Sequence, residues 1–103
     1  MRVYISGPIS GTEDYRERFL AAAVKIRSMG SDVVNPAAIE EVLPVDDYEE
    51  IMDICLSLMD KCDAIVMLPG WRKSIGCNRE YGYAMGREMM VIEYETLVHA
   101  GNT

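Results

Sequence analysis

Ala64-Ile65-Val66-Met67-Leu68 is an unbroken apolar run, bounded by Asp63 on one side and Pro69-Gly70 on the other. A strand with no polar alternation must be covered on both faces, which is the condition of a central strand in a parallel sheet. The segments around it fit that reading. Val3 to Ser6 reads as a first buried strand, ended by Gly7-Pro8. Val33-Val34 reads as a second, closed by Asn35-Pro36, and Met90 to Ile92 as a last one. Between them lie helical patterns. Thr12 is expected to cap a helix that opens with Glu13 and Asp14 and repeats Tyr15, Phe19, Ala23 and Ile26 up to Gly30. Ile51, Ile54, Cys55, Leu58 and Cys62 form the apolar stripe of a second helix, and Ser74 to Arg87 reads as a third. Residues 37–44 read as a loop with room for a short helix. The tail from Glu93 is weakly patterned, with Gly101-Asn102-Thr103 expected to fray.

Strands alternating with helices predict a three-layer α/β fold, Rossmann- or flavodoxin-like, with four or five parallel strands and right-handed crossovers. At 103 residues the chain has room for one domain, 1–103. Ligands of such sheets bind beyond the carboxyl ends of the strands. Ser6 to Gly11, Asn35-Pro36 and Leu68 to Glu80 should therefore share one rim.

Charge and composition narrow the partners. A net charge of −7 repels a nucleic-acid backbone, yet leaves room for a small phosphorylated ligand held by backbone amides. Cys55, Cys62 and Cys77 contain no C-x-x-C pair, so no metal or disulfide framework follows. Reduced thiols in a cytoplasmic protein are the expectation. The amino terminus, broken by Gly7, Pro8 and Gly11, is expected to be neither a signal peptide nor a membrane span. The eight methionines are expected to fill the core and in part to make a contact between copies in a homodimer or higher homo-oligomer.

Two segments bear on chemistry. Ser6-Gly7-Pro8-Ile9-Ser10-Gly11 joins a strand to a helix, and its glycines and free amides suit either a phosphate cradle or an ordinary turn. It has neither the dinucleotide spacing nor the P-loop lysine. In Ser74 to Ala84, Ser74 stands where a helix cap belongs, Gly76 leaves the first turn open, and Glu80 follows four residues later on a similar side. A carboxylate held ionised near a helix start is a competent glycosyl nucleophile. The plainer alternative is a cap at Ser74 and a solvated Glu80 paired with Arg79 or Arg87. Trp71 either stacks on a nucleobase or packs on the sheet rim. Tyr4 points to core or pocket, and Asn35 binds a ligand or sets the Asn-Pro turn. His99 reads as a surface residue.

Ser74, Gly76, Glu80, Gly82 and Ala84 form S-x-G-x-x-x-E-x-G-x-A, which resembles the signature of the nucleoside 2-deoxyribosyltransferase-like superfamily. Val3-Tyr4-Ile5-Ser6-Gly7-Pro8-Ile9 is similar to its opening strand and loop, and Cys62-Asp63-Ala64-Ile65-Val66 to its third strand. Asn35-Pro36 and Leu68-Pro69-Gly70-Trp71 add a likeness to a compact branch known only as a domain of unknown function. The resemblance implies cleavage or transfer of an N-glycosidic bond, with Glu80 as nucleophile and no cofactor or metal. Serine at position 74, where nucleoside enzymes carry aspartate, implies a nucleoside 5′-monophosphate, as in the superfamily's monophosphate N-glycosidases. Tyr4, Ser6, Gly7, Pro8, Ile9, Gly11, Asn35, Trp71, Ser74 and Gly76 are the expected substrate contacts. The chain departs from the pattern at Cys55, eight residues before Asp63, where characterised members carry an aspartate that helps protonate the leaving base. Asp53 lies about 200° around the helix from Cys55 and does not replace it. Asp63 opens its strand at the opposite end of the sheet. That departure leaves a non-catalytic nucleotide-binding or sensing module as the alternative function.

Overall fold

The structure is a computed structural model and describes residues 1–101. Four strands, β1 (Arg2–Ser6), β2 (Asp32–Val34), β3 (Ala64–Met67) and β4 (Met90–Glu93), form one all-parallel sheet in the order β2-β1-β3-β4. The helices are α1 (Tyr15–Ser28), α2 (Pro36–Glu40), α3 (Tyr48–Met59), α4 (Ile75–Gly86) and α5 (Tyr94–Gly101). A single 3₁₀ turn, Trp71–Lys73, precedes α4. This is the three-layer α/β fold that the alternation predicts.

The period-two alternation of side chains sorts the central strands onto two cores. Val3, Ile5, Ala64 and Val66 face Phe19, Ala22, Ala23 and Ile26 of α1, with Leu97 of α5 packed alongside. Tyr4, Ile65 and Met67 face the other way, against Cys55 and Met59 of α3 and Cys77 and Ala84 of α4. Tyr4 and Ser6 pair with Ile65 and Met67 in the β1–β3 register, so the two hydroxyl-bearing residues of β1 share the α3/α4 face. Met52, Met59 and Met67 fill the core as expected, whereas Met1, Met29, Met85 and Met90 are exposed. Cys55 and Cys77 are buried and Cys62 is half-buried.

Winding reverses between β1 and β3: β2 lies on one side of β1 and the chain returns on the other. That is the topological switch point of a doubly wound sheet, where a crevice opens at the carboxyl ends. No helix of the described residues is long and apolar enough to cross a membrane.

Several boundaries differ from the sequence expectations. Thr12 does not cap α1. Its N–H donates to Ile9 O at 3.2 Å, closing a turn through Gly11 at φ 74°, and α1 begins at Tyr15 after Asp14. The buried face of α3 is Met52, Cys55 and Met59, rotated from the expected stripe, with Ile51, Ile54 and Leu58 at its half-exposed flanks and Cys62 beyond the helix end. Asp47 caps this helix by accepting from Glu50 N–H at 3.0 Å. The tail is a helix, because Tyr94 and Leu97 find apolar partners on the α1 face. Of the residues expected to fray, Asn102 and Thr103 lie outside the described residues.

Gly7 follows β1 at a close approach. A Cβ there would fall 2.8 Å from Leu68 Cδ1 and 3.0 Å from Phe19 Cε1. Gly7→Ala should therefore destabilise the fold by about 1–3 kcal/mol through overpacking. A lowered urea midpoint with an unchanged slope is the expected result, and an unchanged midpoint would contradict it.

Candidate functional site

Helix α4 buries Cys77, Glu80 and Ala84, the i, i+3, i+7 stripe that faces the sheet. A glutamate inside that stripe is the anomaly of the helix. Its side chain is 7% exposed, and both oxygens are taken up by the sheet. Tyr4 Oη donates to Oε2 at 2.5 Å and Ser6 Oγ donates to Oε1 at 2.7 Å. Tyr4 and Ser6 can both reach it because residues two apart on β1 point the same way. Glu80 has no cationic partner among the described residues. Arg79 pairs with Glu49 at 3.0 Å and Arg87 with Asp60 at 3.0 Å, so the solvated alternative does not hold.

The source of the carboxylate's state also differs from expectation. Glu80 lies in the second turn of α4, beyond the reach of the helix dipole. Burial pushes its pKa up, and the hydrogen bonds from Tyr4 and Ser6 oppose that rise. Burial and the neighbouring Glu80 in turn hold the Tyr4 hydroxyl well above its usual range. Cys55 lies against this pair, and burial pushes its thiol up to about 11.

A cavity of about 140 Å³ opens over Glu80. Its wall includes Tyr4, Gly7, Ile9 and Ser10 from β1 and the following loop, Pro36 and Glu40 of α2, Tyr48, Met52 and Cys55 of α3, and Ser74, Gly76 and Cys77 at α4. It adjoins an outer cleft of about 410 Å³ lined by Pro8, Gly70, Lys73 and Ile75. Ser10, Tyr48, Ser74 and Gly76 border both spaces. Ser74 caps α4, accepting from Cys77 N–H at 3.2 Å, which leaves its own O–H free to donate into the pocket. A Cβ at Gly76 would meet Tyr48 Oη only at 3.5 Å, so the glycine keeps the mouth wide rather than relieving a clash.

The rim thus gathers Tyr4, Gly7, Ile9, Ser74, Gly76 and Glu80 around the cavity, with Ser6 behind Glu80 and Pro8 on the outer cleft. Three expected contacts lie elsewhere. Trp71 is buried, with its ring centroid 4.9 Å from that of Tyr81 and its indole N–H donating to Glu93 at 3.1 Å. It packs on the sheet rim because the left-handed turn at Gly70 folds it back onto β4. Asn35 Oδ1 accepts from Ala37 N–H at 3.1 Å, so its side chain is spent on capping α2. Gly11 forms the turn before α1 and lines neither space. Asp63 accepts from Arg2 N–H at 2.8 Å, at the amino end of the sheet as expected. Sequence reasoning missed Glu40, Tyr48 and Lys73. Glu40 and Tyr48 arrive from separate elements and carry no local signal, whereas Lys73 stands directly before the cap of the motif helix. No group of three or more His, Cys, Asp or Glu among the described residues is placed to hold a metal ion.

The family described as Domain of unknown function (DUF4406) matches residues 1–93. Among solved structures, a 2-desoxiribosyltransferase from Leishmania mexicana superposes with a TM-score of 0.67 at 17% identity. The match covers 89% of this chain and 62% of that one, so the chain spans less than two thirds of its structural neighbour. No curated protein matches.

A raised carboxyl pKa in the folded state has a consequence for stability. The native state holds the Glu80 proton more tightly than the unfolded chain does. The group's contribution is therefore full at low pH and lost as pH rises through the folded-state value. Glu80→Gln can still accept one hydroxyl and donate to the other, without a buried charge. It should melt above wild type at pH 7, and the gap should close as pH falls below 4.5, the ordinary value of the group. A variant that melts below wild type at pH 7 would contradict this.

Proposed function

This chain belongs to the DUF4406 family, and we propose that it cleaves or transfers the N-glycosidic bond of a nucleoside 5′-monophosphate, with Glu80 as nucleophile. The observation that carries the reading is the Glu80 carboxylate, buried on the cavity wall and oriented by Tyr4 and Ser6. A carboxylate has about four lone-pair positions, and the two hydroxyls use two of them. An Oε lone pair attacks the anomeric carbon as its bond to the base nitrogen breaks, and the electron pair leaves with the base. Water or a second base then takes the sugar from the Glu80 ester. Tyr4 and Ser6 hold the carboxylate at a fixed angle and donate to it again when it is released. The fold shared with a 2-desoxiribosyltransferase supports the reaction class.

The outer cleft suits the phosphate. The Ser74 hydroxyl, the α4 amino terminus and the Lys73 ammonium border it, and Gly76 lets the backbone approach. The sugar and base then occupy the inner cavity. A nucleotide-binding module without turnover is the second reading, favoured by Cys55, whose raised thiol is too weak an acid to assist a leaving base near neutral pH.

Incubation with matched nucleosides and nucleoside monophosphates, followed by chromatography, tests the proposal. Base should be released from monophosphates. Glu80→Gln should lose at least a hundredfold in rate, roughly 3 kcal/mol of transition-state stabilisation. Binding without release selects the second reading. Ser74→Asp should weaken monophosphate binding by about tenfold or more through lost donation and like-charge repulsion, while sparing the nucleoside. Ser74→Ala should fall between, after correction for a lost cap of about 1 kcal/mol. Equal monophosphate affinity for wild type and both variants would remove Ser74 from phosphate recognition.

A further inference from the structure

Glu40 ends α2 on the wall of the same cavity that Glu80 borders from α4. Its position is set by the Asn35-Pro36 start of the helix. Asn35 caps the first turn, Pro36 supplies a pre-set φ at its first position, and Ala37 is buried against the α1 face of the sheet. The Glu40 side chain is half-buried, and its charge is felt at both Cys55 and Glu80. Two acidic groups thus border one cavity of about 140 Å³ from different elements.

Expulsion of a nucleobase leaves an electron pair on nitrogen, and a proton donor near that nitrogen lowers the barrier. Of the titratable side chains on the cavity wall, Tyr4 is bound to Glu80 and held far above its usual range. The Cys55 thiol stands at about 11, burial raises Cys77 as well, and Tyr48 lies half-exposed at the mouth. That leaves Glu40. We propose that Glu40 is the general acid that protonates the departing base. The assignment rests on the glycosyl-transfer reading of Glu80. As the bond from the anomeric carbon to the base nitrogen breaks, the Glu40 carboxyl gives its proton to the base, and a Glu80 Oε–carbon bond forms. Water then attacks that carbon, the Glu40 carboxylate takes a water proton, and Glu80 leaves as a carboxylate. Both groups end as they began.

The charged and titratable groups around Glu40 fit this duty. Arg16 on α1 lowers its pKa, but that guanidinium is itself engaged by Glu41 at 2.6 Å. Cys55 on α3 and Glu80 on α4 share the cavity with it, as do Tyr4, Tyr48 and Cys77, and the Glu40 charge raises both Cys55 and Glu80. Desolvation outweighs Arg16, and the carboxyl is held above its ordinary range, toward the pH at which an acid must keep its proton.

The test compares guanosine 5′-monophosphate with 7-methylguanosine 5′-monophosphate, whose base already carries a positive charge and leaves neutral without a donor. Glu40→Gln should lose about a hundredfold or more on the first and little on the second. It should also lose the fall of kcat/KM at high pH. Glu80→Gln should lose turnover on both. If guanine nucleotides are not accepted, the high-pH limb on the fastest monophosphate decides alone. Equal losses on both nucleotides, or an unchanged high-pH limb, would overturn the role of Glu40 and leave Glu80 standing. Wild type that releases base from no nucleotide or nucleoside would overturn both.

Discussion

A carboxylate inside the apolar stripe of a helix is tolerable only where the facing surface supplies donors. Burying it unpaired would cost several kcal/mol. Here β1 supplies two, and their spacing of two residues is what the pleat of a strand provides on one face. The arrangement fixes α4 against β1. A slip of β1 by one residue would turn Tyr4 and Ser6 to the α1 side and bring Val3 and Ile5 to face Glu80. Register, helix placement and the chemistry of the cavity thus depend on the same pair of hydrogen bonds.

The electrostatic character of the site follows from what does not reach it. Arg72, Arg79 and Arg87 are each engaged by an acidic partner at the surface, at 2.8, 3.0 and 3.0 Å respectively. Neutral hydroxyls therefore hold Glu80 in place of a cation. An ion pair would draw its pKa down, whereas the hydroxyls orient it while burial still holds its pKa raised. Lys73 stands apart on the outer cleft, where a positive charge can attract an anion without touching Glu80.

Much of this was legible in the chain because local rules acted alone. The apolar run at Ala64 to Leu68, the Gly7-Pro8 and Asn35-Pro36 stops and the Ser74 cap each specify a strand end or helix start without help from distant residues. The Ser74 to Glu80 spacing likewise put both residues at one rim. Where the reading missed, a tertiary contact outweighed the local signal. Thr12 was drawn into the Ile9 turn, and the tail became helical through apolar partners on α1's face. Trp71 shows the same dependence: its loop position left base stacking and rim packing both open, and Glu93, 22 residues away, supplied the acceptor that seats it on the rim. Glu40 had no periodic context at all, since only the placement of α2 brings it to the cavity that Glu80 also borders.

The fixed seat of Trp71 also makes the molecule report on itself. It is the single tryptophan of the chain, and its indole packs against Tyr81 and the Arg72 guanidinium with its N–H on Glu93. Its ultraviolet emission therefore originates from one environment, the junction between β3 and α4, and arises outside the inner cavity. Unfolding moves that indole into water and shifts the emission to the red. Trp71 borders neither the inner cavity nor the outer cleft, so its emission reports the integrity of the scaffold.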